Sequence, residues 1–238
     1  MKIFYDTEFL EDGRTIELIS IGMVREDGRE YYAVNADAPW KAIRKHTWLM
    51  DNVIPSLPRI HGDERNHLSR RDLGIDFDHP AMKPRQQIAA EVKRFVLGVP
   101  NPQLWAWYGA YDHVVVCQLF GRMIDLPSGF PMFTCDLKQE AVRLGNPQLP
   151  EQRTGAHNAL ADARHLKLSA ERLARHMATL ERTRAKAMRS RAYEATYNSN
   201  SIEQACGRIR GLELSYESDA ASELTRHDQE HGMYEEGK

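Results

Sequence analysis

Asp6 and Glu8 stand two residues apart in Tyr5-Asp6-Thr7-Glu8-Phe9. In an extended chain such a pair shares one face. Asp and Glu are poor strand formers, and their charges repel unless something neutralises them. The pair is either an exposed strand end with solvated acids or a divalent-metal site, because hard cations take several carboxylate oxygens. A third acid, Asp112, opens a helix after the apolar run Gln103–Tyr108. There an Asp ordinarily acts as an N-terminal cap. Asp162 follows His157 by five residues, a little over one helical turn, so the two can lean toward one site. Each of the five sits where a strand ends or a helix begins, the places where α/β sheets gather ligands. Together they are more specific than any one alone.

The elements that must carry them follow from periodicity and turn signals. Lys2–Tyr5 and the β-branched stretch Ile16–Arg25 read as strands, and Asp27-Gly28 turns the chain back into Arg29–Val34, a three-stranded antiparallel meander. Helices are expected over Pro39–Met50, Pro84–Leu97, Asp112–Met123 and Asp136–Leu144, with strands at Gln103–Tyr108 and Met132–Thr134. One of Trp105 and Trp107 is expected in the core and the other at a groove. Residues 53–83, with Pro55, Pro58 and Pro80, read as an irregular insertion. From about Asn158 a long helix begins, and Leu166, Ala170, Leu173, Met177 and Leu180 step along it as a seam. The seam either packs on the sheet or joins two copies as a homodimer. The order implies an α/β domain with a mixed sheet and helices on its faces.

The chain has 238 residues, 28% charged and 42% hydrophobic, which excludes collagen-like, mucin-like and wholly disordered classes. No apolar run approaches the roughly 18 residues of a spanning helix, and acids arrive too early for a signal peptide. Cys117, Cys135 and Cys206 are too scattered for a disulfide framework or zinc ribbon. A soluble, reduced, cytoplasmic protein with no membrane partner is expected. Net charge is -2, but unevenly laid out: residues 172–193 carry +6 and residues 194–238 carry -6. The basic stretch is either a solvated helix face or a phosphate-contacting or self-associating arm. The expected division is 1–180 as the main domain and 181–238 as a basic helical extension with an acidic, partly disordered tail.

The strings FYDTEF, WYGAYD and HNALAD resemble the three motifs of the DEDDh 3′–5′ exonucleases. FYDTEFLEDGRTIELISIGMVREDGREYYAV and LWAWYGAYDHVVVCQL are most similar to an actinobacterial exoribonuclease subgroup that prefers adenylate-containing RNA. The likeness covers roughly residues 1–170. It implies a ribonuclease H-like fold: a mixed five-stranded sheet, the meander plus parallel strands, flanked by helices. It also implies a metal-dependent exoribonuclease that releases nucleoside 5′-monophosphates from the 3′ end of single-stranded RNA. Asp6, Glu8, Asp112 and Asp162 would hold two Mg²⁺ or Mn²⁺, the arrangement that activates water and relieves phosphate charge. His157 would be the general base, a task suited to histidine's ordinary pKa of about 6.5.

Substrate contacts are expected from Thr7, Phe9, Glu17, Trp107 and Tyr108. Phe9 either stacks on the terminal base or belongs to the core, and Glu8 or Glu17 could accept from a 2′-OH or an adenine amino group. Arg59, Arg65, Arg70 and Arg71 in the insertion, or residues 172–191, are candidates to hold phosphates. Tyr108 departs from the family, many members of which carry Asn at that position. The rival readings are a single-strand DNA exonuclease and a non-catalytic RNA-binding module. A binding module would have no reason to keep concentrated negative charge near phosphates.

Overall fold

Near-continuous apolar runs build the centre of the sheet, whose strands are buried on both faces. β1 (Lys2–Glu11) and β2 (Ile16–Arg25) pair antiparallel from Ile3 opposite Arg25 to Glu11 opposite Ile16, with a bulge between Glu8 and Phe9. β1 therefore does not stop beside Tyr5. Pairing with β2 carries it through both acids, and this pairing outweighs their low strand propensity. β3 (Glu30–Asn35) completes the meander. The computed structural model describes residues 1–60, 73–197, 206–207 and 209–215. Arg65, Arg70, Arg71 and most of the tail 194–238 lie outside the described residues.

The helix expected over Pro39–Met50 is two helices, α1 (Trp40–Ile43) and α2 (Thr47–Asn52). His46 separates them, its ring nitrogen accepting from the Leu49 N–H at 3.3 Å and capping the second. The insertion, expected to be irregular with at most a short helix, carries such a helix and is ordered at its ends. Residues Ile54–Ser56 form a 3₁₀ turn, and Val53, Ile54, Leu57, Leu73 and Ile75 are buried. They join Val34, Ile43 and Leu49 in a hydrophobic cluster. A two-residue strand, β4 (Met82–Lys83), pairs parallel with β3, one strand more than the five expected.

α3 (Arg85–Leu97) follows, then β5 (Gln103–Ala106), α4 (Ala110–Gln118), β6 (Thr134–Asp136) and α5 (Leu137–Arg143). In β5 the buried residues are Leu104 and Ala106, while Trp105 and Trp107 are both half-buried. The expected core tryptophan is thus corrected: the smaller side chains alternate inward. The sheet order is β4-β3-β2-β1-β5-β6, with β5 and β6 parallel to β1 and to each other. This is the expected mixed sheet, with β1 inside it. The face carrying Ile3, Tyr5, Ile21 and Met23 clusters with Ile88, Val92 and Val96 of α3 and with Val115 and Val116 of α4. The longest helix is α6 (Ala159–Tyr197). Among the described residues no helix is long and apolar enough to cross a membrane.

Residues form two compact units. The first is Met1–Glu140 with Leu149–Glu171, and the second is Ala141–Gln148 with the chain from Arg172 onward. The seam is shared between them: Leu166 and Ala170 are buried in the first, whereas in the second Leu173 is buried and Leu180 exposed.

Within the first unit a glycine sets how closely α6 approaches the sheet. Gly22 stands opposite Asp6 in the β1–β2 register. A Cβ there would lie 2.2 Å from the Ala159 carbonyl group and 2.3 Å from the Leu160 nitrogen. These are backbone atoms that cannot swing aside. Gly22→Ala is expected to destabilise the fold by about 1–3 kcal/mol, the usual cost of overpacking, and to lower activity by displacing the helix that bears Asp162. Urea melts showing unchanged stability would refute this.

Candidate active site

Strand alternation points Asp6 and Glu8 to the same face of β1, the face on which Gly22 admits the start of α6. Asp162 comes from the first turn of that helix. One oxygen from each of Asp6, Glu8 and Asp162 lies within 4.8 Å of the others. Asp112, which could have been no more than a helix cap, opens α4 beside these acids. It is buried in the first turn of α4, and its Oδ1 accepts from the Thr7 N–H at 2.9 Å and the Thr7 hydroxyl at 2.6 Å. The carboxylate thus ties α4 to the middle of β1. It stands close enough to raise the pKa values of Asp6 and Glu8, though it lies outside the 4.8 Å group.

His157 has φ +64°, a left-handed conformation that is uncommon outside glycine, with asparagine, aspartate and histidine its more frequent exceptions. Several long-range contacts hold it there. The Ser56 hydroxyl donates to the His157 carbonyl, and Trp48 meets the imidazole edge-on with centroids 4.9 Å apart. The next residue, Asn158, caps α6 by accepting from the Ala161 N–H at 3.1 Å, while its amide donates to the Ser56 carbonyl at 2.9 Å. Gln152 donates to Asp162, and Arg164 forms a two-pronged pair with Glu30 that fastens α6 to β3.

Asp6, Glu8, Asp112, His157 and Asp162 line a cleft of about 530 Å³ together with Thr7, Phe9, Trp48, Trp107, Tyr108, Tyr111 and Ala156. Phe9 and Tyr111 are near-parallel, 11° between planes and 6.1 Å between centroids. Tyr108 has φ +55° and is 64% exposed. Asparagine tolerates that backbone better than tyrosine. Of the expected site residues, Glu17 alone stands apart. It pairs with Leu10 across the bulged strands, and its carboxylate is 3.5 Å from the Arg85 guanidinium. Arg59 donates to the Leu73 carbonyl at 3.2 Å. Trp48, Tyr111, Ser56 and Gln152 were not expected. Asn158 carries a legible signal, an asparagine immediately before a helix.

The electrostatics follow from the crowding. Burial and the neighbouring Asp112, Glu8 and Asp162 charges push Asp6 well above the usual carboxylate range. Burial, Asp162 and Asp112 push Glu8 up to about 8. Burial lifts Asp112 to about 6, opposed by the two Thr7 hydrogen bonds. Burial also raises Asp162, opposed by Gln152 and His157. Among the described residues lining the cleft there is no lysine or arginine. An all-oxygen, anionic donor set without a protein counter-charge fits hard divalent cations.

A stability effect follows. Glu8 in the folded chain keeps a proton that the unfolded chain, with an ordinary pKa near 4.5, has released. Stability is therefore lost as pH rises from about 4.5 through about 8, on the order of 5 kcal/mol for this group alone. The melting temperature of metal-stripped protein is expected to fall across that range, and added Mn²⁺ should restore it most at the alkaline end. A flat profile would contradict the crowding.

The chain is 44% identical over 166 residues to 3′–5′ exoribonucleases from two strains of Mycobacterium tuberculosis, a stretch spanning 69% of this chain and 88% of each relative. A solved structure of exonuclease I is similar over 70% of this chain and 39% of its own, at 13% identity and a TM-score of 0.44. No family model matches the chain.

Proposed function

The chain belongs to the DEDDh-type 3′–5′ exonucleases, and from that premise we propose that it removes nucleoside 5′-monophosphates one at a time from the 3′ end of single-stranded RNA, with a preference for adenylates. The observation that carries this reading is the gathering of Asp6, Glu8 and Asp162 within 4.8 Å, in a cleft that also holds Asp112, His157 and five aromatic rings.

Asp6, Glu8, Asp112 and Asp162 would hold two divalent ions, Mg²⁺ or Mn²⁺. Such ions, when bound, neutralise phosphate charge and activate water. The four carboxylates supply a charge of -4 to match +4. The protein's own share of the chemistry is positioning and proton transfer. His157 accepts the proton of the attacking water at a ring nitrogen as the bond to phosphorus forms and the bond to the 3′ oxygen of the penultimate nucleotide breaks. The Ser56 hydroxyl on the His157 carbonyl and the Trp48 ring against the imidazole keep His157 in the cleft that the acids line. Thr7 orients Asp112 through its hydroxyl and its N–H. Phe9, Tyr111, Trp107 and Tyr108 offer faces for the terminal bases, each stacked base contributing roughly 1–3 kcal/mol.

The test is product analysis on 5′-labelled oligo(A), mixed-sequence RNA and single-stranded DNA with Mn²⁺, using Asp112→Ala as the control. Stepwise shortening from the 3′ end, fastest on oligo(A) and absent in the control, is expected. Equal or faster release from DNA would move the substrate to DNA. RNA binding that is insensitive to EDTA and yields no product would make the chain a binding module.

A further inference from the structure

A polyanionic substrate must be attracted by something, and the cleft contains no lysine or arginine among the described residues lining it. The densest positive charge lies elsewhere. Between residues 172 and 193, α6 carries seven basic residues against Glu181 alone. At about 100° per residue, Arg172, Arg175, Arg182, Lys186 and Arg189 fall on one stripe about 100° wide. Glu181 lies about 100° around the helix from Arg182. From Arg172 to Arg189 the stripe is about 26 Å long at about 1.5 Å per residue. Arg175, Arg182, Lys186 and Arg189 are exposed, and Arg172 partly so. No carboxylate among the described residues pairs with any of the five.

A solvated helix face ordinarily interleaves both signs. Here Arg182, Lys186 and Arg189 follow each other at four and three residues, a spacing at which like charges destabilise a helix. A polyanion laid along the stripe would relieve that repulsion at every position. The same stripe of a second copy would bring like charge to meet it. The stripe also lies in the second compact unit, whereas the cleft lies wholly in the first.

We propose that this face of α6 is a second nucleic-acid surface, which binds the phosphate backbone of the single-stranded RNA substrate 5′ of the nucleotide being removed. The proposal rests on the exoribonuclease reading of the cleft for the identity of the RNA, but not for the binding itself. Its consequence is a length preference: RNA long enough to occupy the cleft and the stripe together gains affinity that a very short RNA lacks.

The experiment uses the full chain carrying Arg175→Gln, Arg182→Gln, Lys186→Gln and Arg189→Gln together. Glutamine is a comparable helix former, and circular dichroism verifies that helicity is kept. Binding of fluorescent oligo(A) of about 30 nucleotides is measured in EDTA, so that nothing is cleaved, between about 50 and about 200 mM salt. Turnover of an RNA of about four nucleotides is measured with Mn²⁺. The quadruple variant is expected to bind the long RNA about tenfold or more weakly at the lower salt, with the log–log salt slope reduced by about 3, and to turn over the short RNA at the wild-type rate. Unchanged long-RNA affinity and slope would overturn the inference. So would a change in oligomeric state, read by sedimentation, with affinity intact, because the stripe would then be a self-association surface. Failure of the wild type to shorten any RNA sinks the exoribonuclease reading, while the binding comparison still decides the role of the stripe.

Discussion

His157→Ala is expected to slow nucleotide release by about 10²–10⁴-fold, the range for a positioned general base, while Mn²⁺ binding survives. The asymmetry follows from the site. The carboxylates that gather within 4.8 Å are Asp6, Glu8 and Asp162, and the imidazole lines the same cleft, packed against Trp48. Removing the ring leaves the acids and their supports in place: Gln152 on Asp162, Thr7 on Asp112. His157→Asn is the second variant, since asparagine accepts φ +64° without strain and still cannot take the proton. Single-turnover rates and a Mn²⁺ titration on both variants check the prediction. Near-normal turnover in either would remove His157 from the chemistry. Loss of metal binding in both would make it a ligand instead of a base.

The second large effect has opposite signs in activity and stability. Asp6→Asn is expected to lower activity by at least two orders of magnitude, since outer-shell partners of metal ligands alone cost about 10–100-fold. The same change should stabilise the metal-free protein. Asp6 is crowded by Glu8, Asp112 and Asp162, and an amide of the same shape removes one of the repelling charges. A gain on the order of 1 kcal/mol, roughly 2–4 °C in melting temperature at this chain length, is expected at alkaline pH. It should shrink as pH falls through about 8 and about 6, where Glu8 and Asp112 take up their protons. Thermal melts with and without Mn²⁺ read both signs at once: a higher metal-free transition and a smaller Mn²⁺-induced shift. A less stable metal-free variant would mean that Asp6 makes favourable contacts which outweigh the repulsion.

Much of the positioning was readable in the chain because it is local. The alternation around Tyr5-Asp6-Thr7-Glu8 puts both acids on one face. The turn at Asp27-Gly28 makes the meander, and the asparagine of HNALAD starts α6. The acids' strand runs on to Glu11 because β2 supplies partners, a pairing that low propensity hides. β6 falls two residues later than expected, at Thr134–Asp136, where it pairs with Leu104–Ala106. What escaped depends on contacts across about a hundred residues. Ser56 reaches the His157 carbonyl and the Asn158 amide from a segment that reads as irregular, and Trp48 meets His157 from a helix that was expected to be continuous with α1. The role of Gly22 is equally silent in sequence, because nothing local marks it as the place where α6 comes down on the sheet. The separation of Glu17 from the cleft likewise follows from the bulge and from Arg85, neither visible in residue type.

The most direct test of the central claim, that folding crowds these carboxylates into a pocket made for divalent cations, is anomalous diffraction at the manganese edge from crystals soaked in Mn²⁺ and adenosine 5′-monophosphate. Two anomalous peaks within coordinating distance of Asp6, Glu8, Asp112 and Asp162 are expected, with the nucleotide phosphate beside them. Acids turned away from one another, with no anomalous signal between them at saturating Mn²⁺, would contradict the account.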